Sequence, residues 1–255
     1  MTQTDRPDSS EAETAPQRVR RRRSRPADAP DGRAPASPVR RISFWTGCGL
    51  ILAGLAVLGW VAWQFWGTNW QSSQRQGDVR RALQSGWGDG QDVVRTDFGN
   101  ATAILHIPKF GKDFAVPVLE GSSQEVLASG VGHMEDTEAG AVGNYVLAGH
   151  RVTHGEPFAE LPSLEPGDEV VVETRAATYT YVLDTGGEDL VIPFTETWVL
   201  DPKPVNPKGG TQPPDDAGDH LITLLTCSEI FHTDNRSVVF GHLVETKPTP
   251  ESSAG

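Results

Sequence analysis

The chain has 255 residues, a formal net charge of −12 at neutral pH and 37% hydrophobic residues. That gives room for one mid-sized domain with appendages, or at most two small ones. Residues 1–41 carry ten Arg against six Asp/Glu, and the remainder carries twelve Lys/Arg against 28 Asp/Glu; an acidic body of this kind argues against nucleic-acid binding, which needs a positive footprint.

The first 41 residues are rich in Pro, Ala, Ser and Arg and nearly free of large apolar side chains. Such a segment buries too little surface to offset its ordering entropy, so a disordered basic tail is expected over 1–41. Taken alone, "RVRRRRSR" could also be a nucleic-acid arm.

The next stretch, Ile42 to Trp66, contains no charged residue, and none appears before Arg75. As a helix it would be about 37 Å long, enough to cross a hydrocarbon core of about 30 Å. Trp45 sits near one end, and Trp60, Trp63, Trp66 and Trp70 cluster at the other, as an interfacial belt does. A cleavable signal fits poorly, since its apolar region runs only about 7–15 residues. A transmembrane helix is therefore expected over 42–66. Arginines crowd the side before it, so the positive-inside rule puts the N-terminus in the cytoplasm and the rest outside. The basic tail then needs no nucleic acid; topology and contact with membrane lipid account for it.

Residues 67–100 are polar and Gly-rich and read as an extracytoplasmic stalk, with a short helix near Asp78–Gln84. From Ala101 the texture changes to short β-branched runs between Gly/Pro turns. Expected strands are Ala103–Ile107, Phe114–Val118, Asn144–Ala148, Glu169–Arg175, Tyr179–Leu183, His220–Thr226 and Ser237–Val244. "SSQEVLASG" and "EPFAELPS" suggest short helical turns. The pattern is all-β, an antiparallel barrel or sandwich, over 101–246, with a flexible tail over 247–255. Residues 202–219 hold five prolines and three glycines, too many breakers for regular structure; this long loop either walls a groove or is simply exposed.

Cys48 lies in the apolar stretch, which leaves Cys227 without a disulfide partner on the outer side. An odd thiol there is intermolecular or reactive. Nucleophilic catalysis by a thiol needs a proton-shuttling partner and a donor for the oxyanion. Seven histidines are available. His150 follows an apolar run in "NYVLAGHR", and His154 lies in the loop beyond it. His106 and His242 fall within strand runs. His133 stands near Glu135, Asp136 and Glu138, where a Ca²⁺ site is one reading and a solvated acidic turn the other; no ligand spacing is recognisable, and no metal or cofactor is expected. Arg236 could reach an oxyanion as a charged fork of donors, or could be a surface arginine beside Asp234.

"TLLTC", followed nine residues later by Arg236, resembles the signature of the sortases. "GNYVLAGHR", "AILHIPKFGKDFAVPVLEG" and "VIPFTETWVL" resemble further segments of that family, in order over about residues 101–245. "HRVTHGEPF" looks most like class E. The resemblance implies an eight-stranded sortase-type β-barrel with short helices, and a cysteine transpeptidase with His150, Cys227 and Arg236 as its catalytic residues. It also implies Thr226 and His154 as contacts for the substrate. That substrate is a protein with a C-terminal LPXTG-like sorting signal, LAXTG in class E, and the acceptor is an amine on a peptidoglycan precursor. The chain departs from the class E pattern at His154, where tyrosine is usual, and at Ser228 and Glu229, where histidine–proline is usual. The same three residues would also serve a membrane-tethered cysteine peptidase. A non-catalytic surface β domain that binds wall or protein ligands is a further reading.

Overall fold

A computed structural model describes residues 38–63, 67–134, 137–227 and 234–249. Helix α1 (Pro38–Ala62) contains the apolar stretch Arg41–Ala62, long and apolar enough to cross a membrane. At 22 residues it would span about 33 Å. Residues 64–66 of the expected span, and Ser228 and Glu229, lie outside the described residues.

Among the described residues, ten strands form one sheet. They are β1 (Val94–Thr96), β2 (Gly99–His106), β3 (Val116–Glu120), β4 (Val131–Met134) and β5 (Gly143–Ala148), then β6 (Glu169–Glu173), β7 (Ala177–Leu183), β8 (Val191–Pro193), β9 (His220–Cys227) and β10 (Asn235–Pro248). Eight of them run β2-β3-β4-β5-β9-β10-β7-β6, and β6 pairs back onto β2, which closes the barrel. The short strands β1 and β8 are additions on the flanks of β2 and β10. Closure leaves no edge among the eight, which is the advantage of a barrel over an open sheet.

The expected strands all form, with ends shifted by a few residues. Three strands were not expected. β1 ("VRT"), β4 ("VGHM") and β8 ("VIP") are too short and too mixed to signal a strand locally; their neighbours in the sheet impose the extended state. β10 is longer than expected because β8 and β7 share one of its edges, opposite β9. Its first residues pair with β8 and its later ones with β7, across a bulge between Leu243 and Glu245. It absorbs Lys247 and Pro248 from the expected tail.

Alternation sorts the side chains. Tyr145 and Leu147 of β5, Ile222 and Leu224 of β9, and Val239 of β10 point into the barrel. Val146, Leu225, Val238 and Phe240 point the other way, into a second cluster covered by Leu190, Ile192 and Val199. β9 is thus buried on both faces, and its run "LITLL", apolar at successive positions except for Thr223, is the sequence signature of that position.

The polar stretch before the barrel is not a free spacer. It holds a 21-residue helix, α2 (Thr68–Gly88), far longer than the helix expected near Asp78–Gln84. Val79 and Leu83 are one turn apart and fully buried against Val94, Ala101, Ile104, Leu119 and Val126, with Trp87 packed alongside. The stripe is narrow, so overall composition hides it. Gly86 sits there because a Cβ would come within 2.3 Å of Val94. The expected turn in "SSQEVLASG" is α3 (Gln124–Leu127), whose Ser123 hydroxyl accepts the Val126 N–H at 3.3 Å.

Candidate active site

β9 ends at Cys227 and β10 begins at Asn235. In the antiparallel register between them Arg236 stands directly opposite Cys227, and directly opposite residues share a face with Cβ atoms about 5 Å apart. β5 runs parallel on the other side of β9, with Ala148 level with Leu225. Two residues further along both strands lie His150 and Cys227. Alternation therefore carries all three to the outer face of the barrel, continuing the rows of Ala148, Leu225 and Val238. All three line one cleft of about 600 Å³.

The end of β5 is tied down next to them. The Gly149 N–H donates to the Leu225 carbonyl at 3.1 Å, and the Thr226 hydroxyl donates to the Gly149 carbonyl at 2.8 Å. Thr226 is 2% exposed, so its hydroxyl holds the His150 segment to β9 even though the residue borders the cleft. Gly149 is required by packing: a Cβ there would meet the Phe158 ring at 2.7 Å. Phe158, fully buried, donates its N–H to the His150 carbonyl at 3.1 Å.

The His150 ring stacks on His154, with centroids 4.8 Å apart and planes at 27°. Its Nε2 is buried without a hydrogen-bond partner among the described residues. Burial, and then the neighbouring His154, lower its pKa to about 4, so the imidazole is neutral at physiological pH. His154 is also lowered, by burial and by Arg75. The Arg236 guanidinium donates to the Asn235 carbonyl at 2.9 Å and lies over the Phe194 ring at 5.9 Å.

The family model of the sortase domain matches residues 105–244. The chain belongs to the sortase family. Sortase SrtE1 of Streptomyces coelicolor is 37% identical over 78% of this chain, and the match spans 56% of that relative's length. Sortase A of Bacillus anthracis is 31% identical over 62% of this chain and 68% of its own. The solved structure of sortase E from Streptomyces avermitilis is 36% identical, with a TM-score of 0.50 over 62% of this chain and 98% of that one. Sortases are cysteine transpeptidases, and the eight-stranded barrel is theirs.

In this sortase the cleft is walled by 192–200 and by the loop after β5. None of the residues lining it comes from 202–219, so the long loop is not the wall. It props the wall from behind: Lys208 pairs with Glu196, and the Thr211 hydroxyl donates to the Asp189 carbonyl at 3.2 Å. Phe194 was not singled out in the sequence. Its signal is the register that sets β8 beside Arg236.

The remaining histidines lie elsewhere. His106 pairs with Glu173 at 3.0 Å, His242 with Asp184 at 2.8 Å and His220 with the Gly140 carbonyl at 2.9 Å. His133 is 5% exposed and pairs with Glu120 at 3.0 Å. Glu135, Asp136 and His232 lie outside the described residues, and no metal-binding group occurs among the described ones.

Burying a neutral His150 has a thermodynamic consequence. Between pH 6.5 and about 4 the unfolded chain takes up a proton that the folded site refuses. Stability is therefore complete above pH 6.5 and falls as pH drops toward 4, by at most about 3 kcal/mol from this residue. Thermal unfolding of wild type and His150→Gln across that range is expected to give a shallower acid slope for the variant; parallel slopes would refute it.

Proposed function

We propose that this chain is a membrane-anchored sortase that cleaves an LPXTG-like sorting signal, LAXTG by its class E likeness, between Thr and Gly. It then joins the acyl part to an amine on a cell-wall precursor. The supporting observation is the cross-strand pairing of Cys227 with Arg236 beside His150 at the end of β5, all on one cleft.

Neutral His150 accepts the Cys227 proton as the sulfur attacks the Thr carbonyl. Arg236 stabilises the tetrahedral oxyanion. The imidazolium so formed protonates the departing glycine amine, leaving a thioester on Cys227. The acceptor amine attacks the thioester, His150 takes its proton, and Cys227 leaves as the thiol. The apolar part of the cleft, around Leu127, Met134, Ile192 and Leu225, suits the leucine that opens such a signal. Thr226 and His154 border the path of the Thr–Gly bond. The apolar helix supplies the anchor, with 1–41 cytoplasmic and the barrel outside, where signal, lipid-linked precursor and membrane lipid meet.

The test is incubation with LPXTG and LAXTG peptides, with and without triglycine or diaminopimelate, read by mass. Amine-joined product is expected. Free acid alone in every reaction would make the protein a peptidase, and no turnover of any peptide would sink the assignment.

A further inference from the structure

His154, Gly155 and Glu156 have φ of +59°, +81° and +50°. Three successive left-handed residues are rare, and each of the two that are not glycine costs about 1–2 kcal/mol. Such a turn persists only where surrounding contacts over-determine it. Here the contacts come from α2. Asn69 grips the turn with both ends of its amide: its oxygen accepts the Gly155 N–H at 3.0 Å, and its nitrogen donates to the Glu156 carboxylate. Gly155 is pressed so closely on the helix that a Cβ would lie 2.4 Å from the Gln76 amide and 3.4 Å from Ser72. Within the loop, the Glu156 N–H returns to the Thr153 carbonyl at 3.3 Å, and the Thr153 hydroxyl holds His154 Nδ1 at 2.8 Å. The product of this clamp is the position of the His154 ring, stacked on His150.

We propose that Asn69 is a positioning residue: by locking the left-handed His154–Glu156 turn onto α2, it keeps the His154 ring against His150 and so sets the orientation and proton affinity of that imidazole. The inference rests on the role given to His150 above. It makes α2, which the sequence shows as a polar stalk with a short helix, a working part of the site. Among the described residues, the ionisable groups that line the cleft with His150 are His154 and Arg151 on its own loop, Cys227 on β9, Asp234 and Arg236 on the β10 side, and Glu196 on the wall. Arg75 of α2 stands behind His154. Of these, His154 is the one the clamp holds in ring contact.

The test uses the full chain in detergent micelles with ¹³C-labelled histidine, the His150 signal being assigned from the His150→Ala spectrum. Asn69→Ala is expected to move the His150 titration midpoint up by about one pH unit, as the ring gains water and loses the stacked neighbour. It is expected to lower kcat about tenfold with KM within about twofold, since a small misplacement of a proton-transfer group acts on the reaction more than on binding. Asn69→Asp sets two carboxylates in contact and should behave as badly. The Gly155 N–H keeps an oxygen acceptor in that variant, and adding Glu156→Gln restores the lost donor–acceptor pair with its direction reversed, so it is expected to return both readouts to within about threefold of wild type. An Asn69→Ala protein with a lower Tm but an unchanged midpoint and kcat would overturn the proposal, because α2 would then only hold the fold together. Should His150→Ala keep its turnover, the assignment of His150 fails instead, and the titration still decides the clamp.

Discussion

Cys227→Ala will leave the barrel folded and form no acyl-enzyme. Cys227 is the last residue of β9 and only partly buried, and the hydrogen bonds of its strand are made by backbone. Removing the sulfur costs little packing, so Tm is expected to stay within a few degrees of wild type. Chemistry is another matter. No other described cysteine lies on the barrel, and without a nucleophile the two easy steps through a thioester collapse into one hard step. A loss of at least about 10⁴-fold is expected. Intact mass after mixing with a sorting-signal peptide reads it directly: wild type gains the acyl fragment, a hydroxylamine-sensitive adduct, and the variant gains nothing. His150→Ala is expected to keep the nucleophile but lose about 10²–10⁴-fold, and His154→Ala to lose less. An adduct on the alanine variant would mean the nucleophile lies elsewhere, and a larger loss at His154 than at His150 would reverse their roles.

What could be read beforehand tracks the range of the interaction. The strand ending in Cys227 announces itself because "LITLL" is apolar at all positions but Thr223, without alternation, the mark of a strand covered on both faces. The neighbourhood of Cys227 and Arg236 follows from two consecutive strands, a local matter. The placement of His150 needs one more step, the parallel pairing of β5 with β9 across more than seventy residues, and the "GHR" segment gave it only by its likeness to a family. The length of α2, beyond the short helix expected near Asp78–Gln84, stayed hidden because its packed stripe is Val79, Leu83 and Trp87 among polar residues and glycines, and what makes it helical is the apolar flank of the barrel on which it packs. β8 stayed hidden because three residues carry no period. The His150–His154 stack was out of reach altogether: it depends on backbone held at positive φ by a helix some eighty residues away, and nothing in "HRVTHGEPF" encodes that. The two readings left open for 202–219, a groove wall or an exposed loop, could not be separated for a related reason. Breakers mark a loop, but only tertiary contacts say which side of a wall it occupies.

Arg236→Lys will lower kcat/KM by about 10²–10³-fold, the scale of losing one preorganised oxyanion donor, while leaving the fold intact. The backbone at 236 pairs with Cys227 on one side and Ile192 on the other, and neither pairing involves the side chain. The guanidinium, in contrast, is held in place: one nitrogen donates to the Asn235 carbonyl and the plane lies over Phe194. A guanidinium is a rigid fork of N–H donors, the geometry suited to charge that develops above Cys227. A lysine ammonium keeps the charge but is a compact, strongly hydrated point on a flexible stem. It must choose between the carbonyl and the oxyanion, and it gives up the ring contact. Because the oxyanion is absent from the bound substrate and develops only along the path to the tetrahedral intermediate, the loss should fall on kcat with KM nearly unchanged. If KM alone rises, Arg236 holds the bound peptide rather than the developing charge. Should the lysine variant turn over normally, the guanidinium has no part in the chemistry, and the cross-strand pairing with Cys227 is only a feature of the sheet.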